Sequence, residues 1–259
     1  MEYFRTFLKC STIRNHLFHI FCHNKEENGI KSGLGCILKE LNIPGYNDSK
    51  TIANSEIYSD VNVIRDVFDS SDDKVAFRNQ LYFAFLPIIR KKYEGEIDDP
   101  ITPDAIVKEF GIIHPEDYGA EVEKLGNRED VLFYIEYSAL FSAKIDFLIF
   151  IGDHLLWIMV NPCGFYWKDQ IRRIVNIATL CSSNFFPAFF HNRKPMIVLL
   201  GPLKNEDAAR EAGVTHFLSL YHCRDIARKL FPEGELNYTY KVLDKFLEQQ
   251  PHRLSDQNC

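Results

Sequence analysis

The chain has 259 residues, 46% hydrophobic and 25% charged, with a net charge of −6. These proportions are those of an ordinary globular protein with room for one large domain or two small ones and a core that needs no staples. The acidity argues against a protein that coats nucleic acid, because such proteins are basic at least over the binding face; it leaves room for a local basic groove. Seven cysteines without a CxxC pair make neither a disulfide framework nor a zinc ribbon and read as reduced thiols of an intracellular protein. No apolar run approaches the roughly 20 residues of a membrane span.

The first stretch, MEYFRTFLKCSTIRNHLFHIF, sets Arg5, Lys9 and Arg14 against one acid, Glu2, with apolar residues at near-helical spacing. A mitochondrial presequence has this character, and so does an amphipathic helix packed on a domain. The early acid favours the packed helix, and with it the cytoplasm or nucleus over the mitochondrion. Residues 1–43 read as an N-terminal helical region: FRTFLKC, RNHLFHIFCH and, after Gly33-Leu34-Gly35, CILKELNI. Residues 44–73, rich in Ser, Asn and Asp, read as a polar connection with one short helix at VNVIRDVF. Residues 74–259 read as an α/β domain ending in a helix. It opens with a helix whose cap is the Ser and Asp before Val75, Leu81, Phe85 and Ile88. Pro87 should kink or end that helix. Thr102 as cap, Pro103 at the first helical position and Gly111 as stop predict the next one, and AEVEKLG at 120–126 a short one.

The character then changes. DVLFYIEYSAL (130–140), KIDFLIFIG (144–152) and HLLWIMVNP (154–162) are rich in β-branched and aromatic residues and predict three strands joined by short turns, the second turn at Gly152-Asp153. In residues 167–183 the positions Ile171, Ile174, Val175 and Ala178 follow the helical period. PMIVLLGP (195–202) predicts a strand covered on both faces. NEDAAREAGV, with its acidic first turn, predicts a helix; HFLSLY a strand, CRDIARKLF a helix and YTYKVLDKFLEQQ a terminal helix. The expected class is α/β: a mixed central sheet with helices on both faces.

The order helix, three-strand meander, helix, strand over residues 103–225 resembles the core of the PD-(D/E)XK nuclease superfamily. In that family an Asp lies on the second strand, a Glu-x-Lys pair on the third, and often a Gln on the following helix. Asp146, preceded by Lys144-Ile145, matches the Asp. Ile158 to Pro162, IMVNP, stands where the Glu-x-Lys pair belongs, and Gln170 where the Gln lies. The resemblance implies a magnesium-dependent phosphodiesterase site, since Mg²⁺ is held by one or two carboxylates together with the substrate phosphate. The departures are Met159 in place of the Glu and Asn161 in place of the Lys. Met is a poor ligand for a hard cation, and Asn brings no charge. Losing a single electrostatic partner costs on the order of 10²–10³ in rate. The resemblance is therefore to a degenerate member, with no cofactor, acting as a binding or interaction module in nucleic-acid handling or with a protein partner.

Two alternatives stay open. In an active Mg²⁺-dependent nuclease, Asp146 would work with migrated partners: Lys168, Asp169 and Gln170 at the next helix start, and Glu136, Glu121 or Glu123 as second carboxylate. In an unrelated α/β scaffold, Asp146 would be structural, capping a loop or pairing with Lys144 or Arg172. Further candidates are weaker in kind. His16, His19, Cys22 and His23 share one helical face and are zinc-ligand types, but interleaved Phe18, Ile20 and Phe21 point to a half-buried helix face. Gly33-Leu34-Gly35 is far short of a nucleotide loop. Lys168, Arg172, Arg173, His191, Arg193 and Lys194 could form a basic rim for nucleic acid beside Phe185, Phe186, Phe189 and Phe190. Those phenylalanines more often cover a core; exposed, they would mark a partner surface.

Overall fold

A hairpin organises the fold. Ile145–Ile151 (β2) and His154–Val160 (β3) pair antiparallel through a turn in which Gly152 takes φ +52°, a conformation that favours glycine. The computed structural model describes residues 10–93, 128–161, 168–201, 206–231 and 237–248. The helices predicted at 102–111 and 120–126, with Glu121 and Glu123, lie outside these residues. Lys194–Gly201 (β4) adds parallel to β3, and His216–Ser219 (β5) parallel to β4. Glu56–Val61 (β1) completes a five-stranded sheet in the order β1-β2-β3-β4-β5. The fold is the expected α/β class, a mixed central sheet with helices on both faces, preceded by N-terminal helices.

The first of the three predicted strands, 130–140, is a helix instead. Residues Arg128–Ser142 form a helix (α7), and the strand beside β2 is β1, from the stretch read as a polar connection. Aromatic and β-branched content suggested a strand, but Phe133, Tyr137, Leu140 and Phe141 are buried at helical spacing, and Glu129 and Asp130 in the first turn suit a helix start. β1 was hidden because it is short, mostly exposed and polar, with only Ile57 and Val61 half-buried in alternation. Residues 44–73 also hold Ser49–Ala53 (α4), capped by Asp48, and the predicted short helix Val63–Ser70 (α5), capped by Asn62. Lys74–Lys92 (α6) starts on an Asp73 cap, as the Ser-Asp signal implies, and runs through Pro87. Pro87 is exposed, and so is Phe83, whose carbonyl loses its partner; water can satisfy it there.

The chain divides into two compact units. The first carries the sheet together with Cys10–Cys22 (α1), Lys25–Asn28 (α2), Gly33–Glu40 (α3), α4, Glu206–Glu211 (α10), Leu220–Leu230 (α11) and Asn237–Glu248 (α12). Its core joins Leu17 and Phe21 of α1, Leu34 and Leu38 of α3, and Phe246 of α12 to one sheet face, Phe147, Ile149, Ile158 and Val198. The opposite face is buried as well, through Leu148, Trp157, Ile197 and Leu199. That explains the unbroken apolar runs of β3 and β4. The second unit carries α5, α6, α7, most of Lys168–Cys181 (α8), and Ala188–His191 (α9). Its core is aromatic: Phe133 meets Tyr82, Phe85 and Tyr137 with ring centroids 5.1, 5.8 and 5.6 Å apart. Asn62 fastens α5 to the end of α7 through a 2.6 Å bond from Nδ2 to the Phe141 carbonyl. Cys22, Cys36, Cys181 and Cys223 are free thiols.

Three histidines of the first unit set a pH dependence. Burial lowers His16, with a further contribution from His19; burial lowers His23; burial, then Arg210 and His154, lower His216. Each binds its proton more readily in the unfolded chain, whose ordinary value is 6.5. Their contribution is complete above that value and is lost as pH falls through it towards the lower folded value. The urea midpoint is expected to drop between about pH 7.5 and about pH 5.5, and His16→Gln should make that drop smaller. An unchanged drop in the variant would remove His16 from the account.

Candidate functional site

Asp146 sits one residue into β2, and both its carboxylate oxygens are engaged within the first unit. Oδ1 accepts from Arg14 Nη1 of α1 at 2.9 Å, and Oδ2 accepts from the backbone N–H of Val160 at 2.7 Å. The hairpin register pairs Phe147 with Ile158, so Asp146 falls opposite Met159. The two positions that hold acids in the nuclease pattern are thus neighbours across the hairpin, but the second is a buried thioether at 6% exposure. The backbone N–H of Asn161 continues the ladder, donating to the Leu200 carbonyl at 2.8 Å. The partner of Asp146 is Arg14, which the sequence reading had counted only as a basic residue of the N-terminal helix. Lys144 pairs instead with Asp60 at 3.1 Å.

The other proposed participants have neighbours of their own. Glu136 belongs to helix α7 of the second unit, where it accepts from Lys92 Nζ at 2.6 Å and from Tyr93 Oη at 2.9 Å. Burial lowers Lys92, but its bond to Glu136 and that acid's charge outweigh it and leave the ammonium raised; burial and then Glu136 raise Tyr93. Lys168, Asp169 and Gln170 open α8 as exposed residues, with Lys168 Nζ 3.5 Å from Glu211 Oε2. Among the described residues no three His, Cys, Asp or Glu side chains come together to hold a metal ion. The described residues do not fit the Mg²⁺ that the resemblance implies. The α1 cluster likewise separates: His16 is buried, Cys22 is exposed, and His23 packs edge-on against Phe231 at 4.3 Å. Arg193 donates to the Gly152 carbonyl at 3.1 Å and lies over the Phe150 ring, while Lys194 leads exposed into β4.

The second unit offers a different site. An open groove of about 520 Å³ lies between α5, Phe77 of α6 and the segment 185–190. Five phenylalanines line it: Phe77, Phe185, Phe186, Phe189 and Phe190. Phe186 and Phe190 are buried and belong to the core, whereas Phe189 is 49% exposed. The Phe-rich stretch therefore does both jobs that its composition suggests. Phe77 meets the rings of Phe185 and Phe186 edge-on at 5.9 and 5.7 Å. The segment is held by its own bonds: Phe186 N–H to the Ser183 carbonyl, Phe190 N–H to the Pro187 carbonyl, and a 3.0 Å contact between His191 Nδ1 and the Phe186 carbonyl. Val63, Val67 and Asp66 of α5 form the facing side. The sequence reading found the phenylalanines but not α5 as their counterpart; the signal was the alternation of apolar and acidic residues in VIRDVFD, which gives a helix one apolar face.

No protein-family model matches this chain, and no curated protein or solved structure does either. Among the described residues no helix is long and apolar enough to cross a membrane.

Proposed function

We propose that the chain is a binding module whose working surface is the aromatic groove of the second unit, and that the nuclease-like end of the hairpin is structural. The observation that carries this reading is the groove itself: a concave, mostly apolar site of about 520 Å³ with one exposed aromatic at its edge, within the size and character of ligand sites. The engagement of Asp146 by Arg14 and Val160 supports the second half, because a metal-binding carboxylate needs oxygens free to face the ion. The three-strand meander that carried the resemblance to nucleases is a two-strand hairpin preceded by helix α7, with β1 drawn from residues 56–61, and fold likeness alone does not fix function. A nucleic-acid role would fall to Lys168, Arg172, Arg173, Arg193 and Lys194, of which Lys168 and Arg193 already have neighbours.

The test uses a neutral apolar dye, Nile red, with the full chain. Dye emission is expected to rise on mixing and to fall several-fold for Phe189→Ala, which should cost no more than about 1 kcal/mol of stability because its ring is half exposed. Equal emission from both proteins would overturn the groove as a binding surface. In parallel, Mg²⁺ and Mn²⁺ titrations by calorimetry should give the same trace for the natural chain and for Asp146→Asn. Metal binding lost in that variant, with cleavage of DNA or RNA, would restore the nuclease reading.

A further inference from the structure

Resting on that binding reading, we propose that the groove takes an organic cation: an ammonium group on an apolar body, set between the phenylalanines and the Asp66 carboxylate.

Three observations converge. First, among the described residues that line the groove, Asp66 alone is charged. The remaining polar lining is already occupied: Ser70 Oγ donates to the Asp66 carbonyl at 2.7 Å and Ser71 Oγ to the Asp73 carbonyl at 3.2 Å. Second, no cation among the described residues is in ion-pair contact with Asp66. The nearby lysine, Lys144, is spent on Asp60, and Lys74 and Arg78 lie over the Phe68 ring at 5.4 and 4.7 Å. Third, the opposing wall is aromatic, and ring faces carry the negative end of the aromatic quadrupole, which attracts cations.

The electrostatics of Asp66 agree with this geometry. Its pKa is raised, by burial first and also by Asp69, against the smaller opposing effects of the Asn62 backbone N–H, Arg65 and Lys144. Asp66 stays exposed to solvent, so an arriving ammonium can reach its carboxylate and supply a positive partner. A neutral ligand leaves Asp66 as it is, and an anion meets repulsion from the acid.

The test compares three probes of one shape, phenethylammonium, 2-phenylethanol and 3-phenylpropionate, titrated into the full chain near neutral pH and followed by the shifts of the protein's aromatic proton resonances. The ammonium is expected to bind about 5- to 30-fold more tightly than the alcohol, the sum of a half-exposed ion pair and cation–π contact. The carboxylate should bind more weakly than the alcohol. Asp66→Asn should remove the ion-pair part of that preference, lowering the ammonium-to-alcohol ratio by at least about 2-fold and leaving the cation–π part. Phe189→Ala should weaken both. Equal affinities for ammonium and alcohol, or a preference that is undiminished in Asp66→Asn, would overturn the proposal while leaving the groove a binding surface. Failure of all three probes to bind would overturn the groove reading as well.

Discussion

Asp146→Ala is expected to lower the free energy of unfolding by about 2–3 kcal/mol, and Asp146→Asn by about 1 kcal/mol or less. The alanine leaves the Val160 N–H, at the end of the hairpin, without the acceptor it has at 2.7 Å. A half-buried backbone donor stripped of its partner costs about 1–3 kcal/mol. The bond to Arg14 adds less, because the two side chains are 31% and 21% exposed and solvent screens them. Asparagine keeps an oxygen for Val160 and can still accept from the guanidinium without its charge. The contrast also separates two functions for this residue. A carboxylate held for a metal, among other acids, is a burden on the fold, and removing it is neutral or stabilising. A carboxylate that ties α1 to the hairpin is a support. Urea unfolding of the two variants decides between them, and a neutral or stabilising alanine would return Asp146 to the list of catalytic candidates.

Legibility differed between the two units for a physical reason. β2, β3, β4 and the Gly152 turn were visible because the sheet is buried on both faces, and runs such as LLWIMV and MIVLLG have few other uses. Helix α6 announced its start through the Ser-Asp cap signal that ends in Asp73. α7 was misread because composition and period conflicted: its residues favour strands, its spacing favours a helix, and packing of Phe133, Tyr137 and Phe141 in an aromatic core settled the matter. β1 was missed because an exposed edge strand has no apolar face to display. At the site, the sequence singled out Asp146, Met159 and Asn161. It could not name Arg14, 132 positions away, as the partner. Tertiary pairing of this kind leaves no local trace. The groove was half legible, through its phenylalanines, while Asp66 looked like any solvated helix acid.

Gly33→Ala is expected to be the most damaging single-methyl change in the first unit, at about 3 kcal/mol or more. Gly33-Leu34-Gly35 is far short of a nucleotide loop; the glycines allow close packing. A Cβ on Gly33 would lie 1.7 Å from the Ile20 carbonyl oxygen and 2.7 Å from the Ile20 carbonyl carbon. These are backbone atoms of α1, so no rotamer change relieves the contact and the two helices must separate. The turn is fixed from its own side as well: Ser32, fully buried, accepts from the Gly35 N–H at 3.0 Å, and Gly33 N–H donates to the His23 carbonyl. Gly45→Ala is the control. That residue has φ +92° but open space, with its nearest neighbour 3.7 Å away, so its cost is backbone strain alone, about 1 kcal/mol. If conformation governed these glycines, Gly45 would be the more sensitive, since Gly33 has no positive φ among the described residues. Close approach of α1 predicts the reverse order. Because α1 also carries Arg14, moving it should loosen the bond to Asp146, and Gly33→Ala combined with Asp146→Ala should cost less than the sum of the two, by at least about 0.5 kcal/mol. Additive losses would mean that the glycine contact and the Arg14–Asp146 pair are independent, and a cost for Gly33→Ala within about 1 kcal/mol would mean that α1 does not sit this close to α3.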